Sequence, residues 1–313
     1  MAKILSQIEL PELEQHLKAH FPDVDLGYLK IGEAVPANTE ADCLLAVASN
    51  LKGLDQIIAD IKGLKWIQIV GAGVDGFDTN VLGDITLTTT KGVSAVPISE
   101  WVMAMILTQA KSLPAQWIKQ PPELWNFGNA PMACLDSQKL AIYGFGAIGR
   151  ALAKRALSFD MQVSALTRSS VPDIEGVQHA SNFAELVADA DHLVLAAPST
   201  KATYHALNAD SFKQLKTGTH LINIARGELI DESALRTALD NGTVSCASLD
   251  VAKSEPLDAE HWFFSDQRIR FSPHISWGDP STMERMLSIF MENLSHFIKG
   301  EGLINKFDIE AGY

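Results

Sequence analysis

At 313 residues the chain is long enough for two domains, each with its own core. Hydrophobic residues make up 47% and charged residues 20%, a globular composition that excludes a disordered, collagenous or coiled-coil protein. Lys and Arg number 25 against 38 Asp and Glu, a net charge of −13 with no block of like charges, which speaks against a nucleic-acid partner.

Cys43, Cys134 and Cys246 lie far apart, with no C-x-x-C and no histidine ligand pattern, so neither a disulfide framework nor a metal site is expected. Glu9 and Glu12 interrupt the N-terminus before a signal-like stretch develops, and no run of ~18 apolar residues occurs. A cytoplasmic protein without membrane contact is the expectation.

Along the chain, short apolar runs alternate with stretches of helical period. AKILSQI (2–8), CLLAVA (43–48) and WIQIV (66–70) come first, and ITLTTT (85–90) closes this half. A boundary is expected at Val96-Pro97, ahead of a helix over 98–110 with little charge on any face. KLAIYGFG (139–146), QVSALTR (162–168), HLVLAAP (192–198), THLINIA (219–225) and SCASLDV (245–251) then follow at regular spacing. Runs this short, separated by helices, predict an α/β fold with parallel, doubly wound sheets in both halves. RIRFSPHISWGDP (268–280) reads as irregular between Pro273 and Pro280. The last element is an amphipathic helix over 281–300, with Met283, Met286, Leu287, Phe290 and Leu294 at helical spacing.

The pattern G-x-G-x-x-G occurs twice, at 71–76 and 144–149. The second copy follows a strand, opens a helix and is succeeded by another strand, the unit that binds a dinucleotide. Its glycines permit a tight turn and close backbone approach, so Gly144, Gly146, Ala147, Ile148 and Gly149 are the expected pyrophosphate contacts at the helix N-terminus. The first copy leads through Phe77-Asp78-Thr79-Asn80 to no long helix, and is read as a loop presenting N–H groups. An NAD enzyme normally carries an acid at the end of the next strand, for the ribose 2′-hydroxyl. Here that strand ends Thr167-Arg168-Ser169, where a cation and hydroxyls suit a 2′-phosphate. NADP(H) is therefore the preferred cofactor, with NAD(H) as the alternative.

Five segments in order, VGAGVDGFD (70–78), GFGAIG (144–149), INIARGELID (222–231), LDVAKSEPL (249–257) and SPHISWG (272–278), resemble the motifs of the D-isomer-specific 2-hydroxyacid dehydrogenases, glyoxylate and hydroxypyruvate reductases among them. The resemblance implies a flavodoxin-like substrate domain from residues 1–97 plus 281–313, and a Rossmann dinucleotide-binding domain over 98–280. Reducing a 2-oxo acid needs a cation for its carboxylate and a proton for the developing alkoxide. Arg226, at the end of a parallel strand, suits the first. His274 suits the second, and Glu255 as its partner would favour the imidazolium and fix its orientation. The same resemblance places Pro198, Ala225 and Asp250 at the cofactor, and the Ala72 and Gly73 amides on the substrate carboxylate. Ser49, Asn50 and Trp277 are the expected lining of the substrate side-chain pocket. It also implies a small-molecule 2-oxo or 2-hydroxy acid partner and a homodimer, for which the helix over 98–110 and the Trp125 region are candidate surfaces. Two other readings stay open: a dehydrogenase of an inorganic oxyanion such as phosphite, and a non-catalytic NAD(P)-sensing protein.

Overall fold

The computed structural model describes residues 2–48, 51, 53–113, 115, 117, 120–121, 132–168 and 173–309. Ser49, Asn50, Ser169 and the Trp125 region lie outside the described residues. The chain divides into two compact units, Met1–Val93 with Pro280–Tyr313, and Ser94–Asp279. Among the described residues, no helix is long and apolar enough to cross a membrane.

The first unit is a parallel sheet of β1 (Lys3–Ser6), β2 (Asp25–Tyr28), β3 (Cys43–Val47), β4 (Trp66–Val70) and β5 (Thr86–Thr89), in the order β2-β1-β3-β4-β5. This is the flavodoxin-like order. β3 and β4 lie inside the sheet and are covered on both faces, which is why β3 reads as an unbroken apolar run and β4 as one interrupted only by Gln68. One face packs Leu44, Ala46, Ile67 and Ile69 on the helix Leu54–Asp60. On the other, Leu45 and Trp66 meet Leu13, Leu17 and the C-terminal helix Thr282–Lys299 through Met286, Leu287, Phe290 and Leu294. The Trp66 ring stacks 5.5 Å from Phe290. Asn293 stands in the middle of that apolar stripe and is fully buried. Its Nδ2 donates to Gln68 Oε1 at 3.0 Å, its Oδ1 accepts from the Ile304 amide at 2.7 Å, and Thr88 also donates to Gln68 Oε1. A buried amide satisfied in this way fixes the helix in one register against β4 and β5.

The second unit is a seven-stranded parallel sheet of β6 (Lys139–Tyr143), β7 (Gln162–Leu166), β8 (Val177–His179), β9 (His192–Leu195), β10 (Thr219–Asn223), β11 (Val244–Leu249) and β12 (Ile269–Phe271), ordered β12-β11-β10-β9-β6-β7-β8. Counted from β6, this is the doubly wound nucleotide-binding order with one strand added at the edge. The chain reverses direction across the sheet between β6 and β9, and ligands of such sheets bind beyond the strand ends at that point. The helix Ala95–Ala110 begins two residues before Pro97, whose missing N–H falls in the first turn where none is needed. It buries Ile98, Val102, Met103 and Ile106 in one cluster with Leu152, Ala153 and Ala156 of the helix Ala147–Leu157. The segment expected to be irregular at 268–280 begins with the edge strand β12, paired with Ala247–Leu249 of β11. Three residues flanked and interrupted by arginine leave no periodic signal to read.

Beneath the sheet, His192 of β9 and His220 of β10 are register partners and fully buried. Gln138 donates its amide N–H to the Cys134 carbonyl at 2.7 Å, which turns its Oε1 to His192 Nε2, also at 2.7 Å. His192 therefore donates from Nε2 and accepts at Nδ1 from His220 Nδ1–H, 3.2 Å away, while His220 Nε2 accepts from Ser248 Oγ at 2.9 Å. In this arrangement His192 is neutral, and burial disfavours charge on either ring. Burial pushes His192 down to about 4, outweighing the nearby Asp191 carboxylate, and burial, the repulsion that a second proton on the pair would meet, and the Arg270 charge lower His220.

Histidine in the unfolded chain titrates near ~6.5, so below that pH the unfolded state binds protons that the folded state refuses. Stability is therefore full above pH ~6.5 and falls as pH drops toward 4, at up to about 1.4 kcal/mol per pH unit for each ring. Thermal melts of the wild type should fall more steeply from pH 7 to pH 5 than those of His192→Gln/His220→Asn. Equal slopes would show that the pair is not the acid-sensitive element.

Candidate active site

β6 ends at Tyr143, and the glycine turn that follows treats its three glycines differently. A Cβ on Gly144, at φ +104°, would lie 2.5–2.7 Å from backbone atoms of Ala196 and Ala197, and one on Gly149 would lie 2.6 Å from the Gly144 carbonyl oxygen. These two are required by the protein's own packing. A Cβ on Gly146 would meet nothing within 4 Å. Gly146 is the N-cap of the helix Ala147–Leu157, and no side chain caps that helix. Open space before uncapped N–H groups of Ala147, Ile148 and their neighbours is what a pyrophosphate fits. Thr167 and Arg168 follow β7 beside this turn, where the Gly144 amide donates to Leu166 O at 3.1 Å. Thr167 is half-buried and Arg168 exposed. Pro198 follows β9 and is exposed, its carbonyl accepting from Thr203 Oγ1 at 2.7 Å. The residues present thus suit a nicotinamide dinucleotide.

Beyond β10 the chain turns on Asn223, which is fully buried. Its Oδ1 accepts from the Ala225 amide at 3.0 Å and its Nδ2 donates to the Arg226 carbonyl at 2.8 Å, so one side chain shapes the turn that presents both residues. Half-buried Arg226 donates from Nη1 to Ala225 O at 2.7 Å. A Cβ on Gly227 would fall 2.0–2.3 Å from the backbone of Ala252 and Lys253. Only glycine lets the arginine turn lie against the loop that follows β11.

That loop carries Glu255, whose Oε1 accepts from the Ala252 amide at 3.0 Å and whose Oε2 lies 2.8 Å from His274 Nδ1. Partial burial works to raise the Glu255 carboxyl, but the His274 hydrogen bond, the Ala252 amide and the charges of His274 and Arg226 together hold it below the usual glutamate range. An ionised carboxylate at Nδ1 makes that nitrogen the donor and leaves Nε2 as the outward-facing atom. The side chains are 39% and 36% exposed, so a small substrate can reach them.

His274 is set by a turn wrapped around Asp250. The Asp250 carboxylate is fully buried and accepts from Ser272 Oγ at 2.6 Å and from the Ile275 and Ser276 amides, each at 3.0 Å. The Asp250 carbonyl accepts from the His274 amide at 2.8 Å, and the His274 carbonyl accepts from Trp277 Nε1 at 2.9 Å. These bonds hold His274 at φ +54°, a conformation disfavoured for a non-glycine residue. The family resemblance implies a cofactor role for Asp250, and Trp277, just beyond the histidine, is expected in the substrate pocket. In the structure the Asp250 carboxylate and the Trp277 indole N–H both position the histidine turn. Asn223, Gly227 and Ser272 belong to this machinery as well. All three lie inside the motif segments 222–231 and 272–278, but residue type alone does not show that Asn223 folds back on its own turn, that the Ala252–Lys253 backbone fills the space beside Gly227, or that the Ser272 hydroxyl reaches Asp250.

The other glycine fingerprint lies in the first unit. A Cβ on Gly71, at φ +142°, would come 2.5 Å from Ala48 Cβ, and Gly71 is tied to Thr90 by hydrogen bonds in both directions. A short 3-10 turn, Thr79–Leu82, follows in place of a long helix. Among the described residues, the Ala72 and Gly73 amides donate to no protein acceptor, and both can serve an anion.

Residues 103–276 match the family model described as D-isomer specific 2-hydroxyacid dehydrogenase, NAD binding domain. The chain is 30% identical over 288 residues to a glyoxylate reductase of Thermococcus litoralis, covering 85% of this chain and 84% of that one. A D-isomer specific 2-hydroxyacid dehydrogenase family protein from Aeromonas salmonicida superposes with a TM-score of 0.79 at 28% identity, over 98% of this chain and 99% of its own. An NADPH-dependent glyoxylate/hydroxypyruvate reductase from Sinorhizobium meliloti gives a TM-score of 0.83 over the whole of both chains, at 24% identity a likeness of fold alone.

The glycines allow a direct check. Gly144→Ala should lose about 3 kcal/mol of stability through overpacking, while Gly146→Ala should melt with the wild type yet bind dinucleotide roughly tenfold more weakly. Thermal melts and dinucleotide titrations distinguish the two, and a Gly146→Ala protein that binds undiminished would remove the pyrophosphate from this turn.

Proposed function

The chain belongs to the D-isomer-specific 2-hydroxyacid dehydrogenase family, and from that premise we propose that it reduces a small 2-oxo acid, of the glyoxylate or hydroxypyruvate class, to the D-2-hydroxy acid with NADPH as donor. The observation that carries this reading is the 2.8 Å contact between His274 Nδ1 and Glu255 Oε2, with the Arg226 charge close enough to stabilise the same carboxylate. Bound NADPH supplies the hydride. Arg226 binds the substrate carboxylate and carbonyl oxygen with its planar fork, and stabilises negative charge as it grows on that oxygen. His274 gives the Nε2 proton to the oxygen, so the product leaves as the neutral alcohol. Glu255 keeps the ring oriented throughout, and in the oxidative direction the same nitrogen takes the proton back. Arg168 with Thr167, and the lack of an acid at those two positions, favours NADP(H) over NAD(H). A cytoplasmic homodimer completes the reading, on family analogy.

Initial rates with NADPH and NADH against glyoxylate, hydroxypyruvate and pyruvate test this, together with the chirality of the glycerate formed from hydroxypyruvate. NADPH should be used faster and the product should be the D-isomer. His274→Ala should lose about 10²–10⁴ in kcat, and Glu255→Gln should lose about tenfold or more in kcat with KM little changed. Arg226→Lys should raise KM as well as lower kcat, because a point charge cannot hold two oxygens in one plane. Oxidation of phosphite in the absence of any 2-oxo acid reduction would replace this function with the oxyanion alternative.

A further inference from the structure

Arg150 follows the third glycine of the nucleotide turn and lies near the start of the helix Ala147–Leu157. Its guanidinium sits 5.2 Å from the centre of the Phe145 ring, and Phe145 stands between the first two glycines of the turn. The same guanidinium pairs with the Asp173 carboxylate. Asp173 is on the chain returning after β7, one residue before Ile174, which packs in the same cluster as Leu152 and Leu157 of this helix. Arg150 therefore stands where the helix start, the glycine turn and the chain at Asp173 come together.

A cation near a helix N-terminus opposes the helix dipole and contributes nothing to helix stability there. The ion pair it makes is solvent-exposed, with side chains 36% and 67% accessible, and exposed pairs contribute little to folding. The contact with the Phe145 ring adds little at an exposed site, so none of the three interactions is strong. An anion better than Asp173 accounts for the arginine, because a phosphate monoester carries close to two negative charges and three acceptor oxygens against one charge on a carboxylate.

We propose that Arg150 is the second cation of a 2′-phosphate site: paired with Asp173 in the free protein, it exchanges that carboxylate for the 2′-phosphate of the adenosine ribose, alongside Arg168. Asp173 is then the competing anion that moderates the preference for phosphorylated cofactor. This rests on the NADP(H) reading above and extends it to a residue on a different element from the strand end.

Isothermal titration of the intact protein with adenosine 2′,5′-bisphosphate and with AMP, which share the 5′-phosphate, isolates the 2′-phosphate. Arg150→Gln should weaken 2′,5′-bisphosphate binding about 5- to 20-fold with AMP unchanged, and Asp173→Asn should strengthen it about threefold with AMP unchanged. Melting temperatures of both variants should match the wild type, as the exposed pair requires. Arg168→Ala is the reference arm. If it abolishes the preference for the bisphosphate while Arg150→Gln leaves it intact, Arg150 is not in the site and the NADP(H) reading survives. If the wild type shows no preference over AMP, the NADP(H) reading fails, and this proposal with it. Equal losses for both ligands in Arg150→Gln would mark the arginine as a structural support of the glycine turn and overturn the proposal.

Discussion

The reactive end of the second unit depends on a buried carboxylate that must be satisfied from within the chain. Asp250 stands at the end of β11 with no exposed surface, and an unsatisfied carboxylate there would cost several kcal/mol. Closing the turn 272–277 around it supplies a hydroxyl and two amides, and the same closure forces His274 into a left-handed backbone conformation. The strain at His274 and the satisfaction of Asp250 are two sides of one local solution. Glu255 then meets Nδ1 because its own loop is held by the Ala252 amide and pressed against Gly227.

Arg226 is coupled to the same solution by exclusion of volume. The space a Cβ would need at Gly227 is filled by the backbone of Ala252 and Lys253, so the arginine turn and the glutamate loop pack as one body. Asn223 sets the other side of that turn with hydrogen bonds to the backbone of Ala225 and Arg226. Cation, proton donor and orienting carboxylate thus come from the C-terminal ends of β10, β12 and β11, on the side of the sheet where doubly wound folds bind ligands.

Much of this was legible in the sequence, for physical reasons. Central parallel strands are buried on both faces, so β3, β4 and β9 stand out as largely apolar runs. The glycines at 144–149 stand out because two of them tolerate no side chain. Edge elements were harder. β2 reads Asp-Leu-Gly-Tyr with alternate residues exposed, β8 reads Val-Gln-His, and β12 is three residues between polar neighbours. Roles created by tertiary contact were not legible at all. Asn293 looks like a flaw in an amphipathic stripe until Gln68 and the Ile304 amide are placed against it. Asp250 reads as a ligand contact, and its part in anchoring the histidine turn is seen only when Ser272 and the 275–276 amides are placed against its carboxylate.

The central claim is that His274 delivers the proton to the substrate oxygen. The pH dependence of kcat/KM for glyoxylate reduction, measured for the wild type and for His274→Ala from about pH 6 to about pH 9, addresses it most directly. The wild-type value should lie far above that of the variant throughout, and the pH dependence that the wild type owes to its proton donor should be absent from the variant, whose residual rate should be low and flat across the range. A variant that keeps the wild-type pH dependence would place the proton donor on another group and contradict the account.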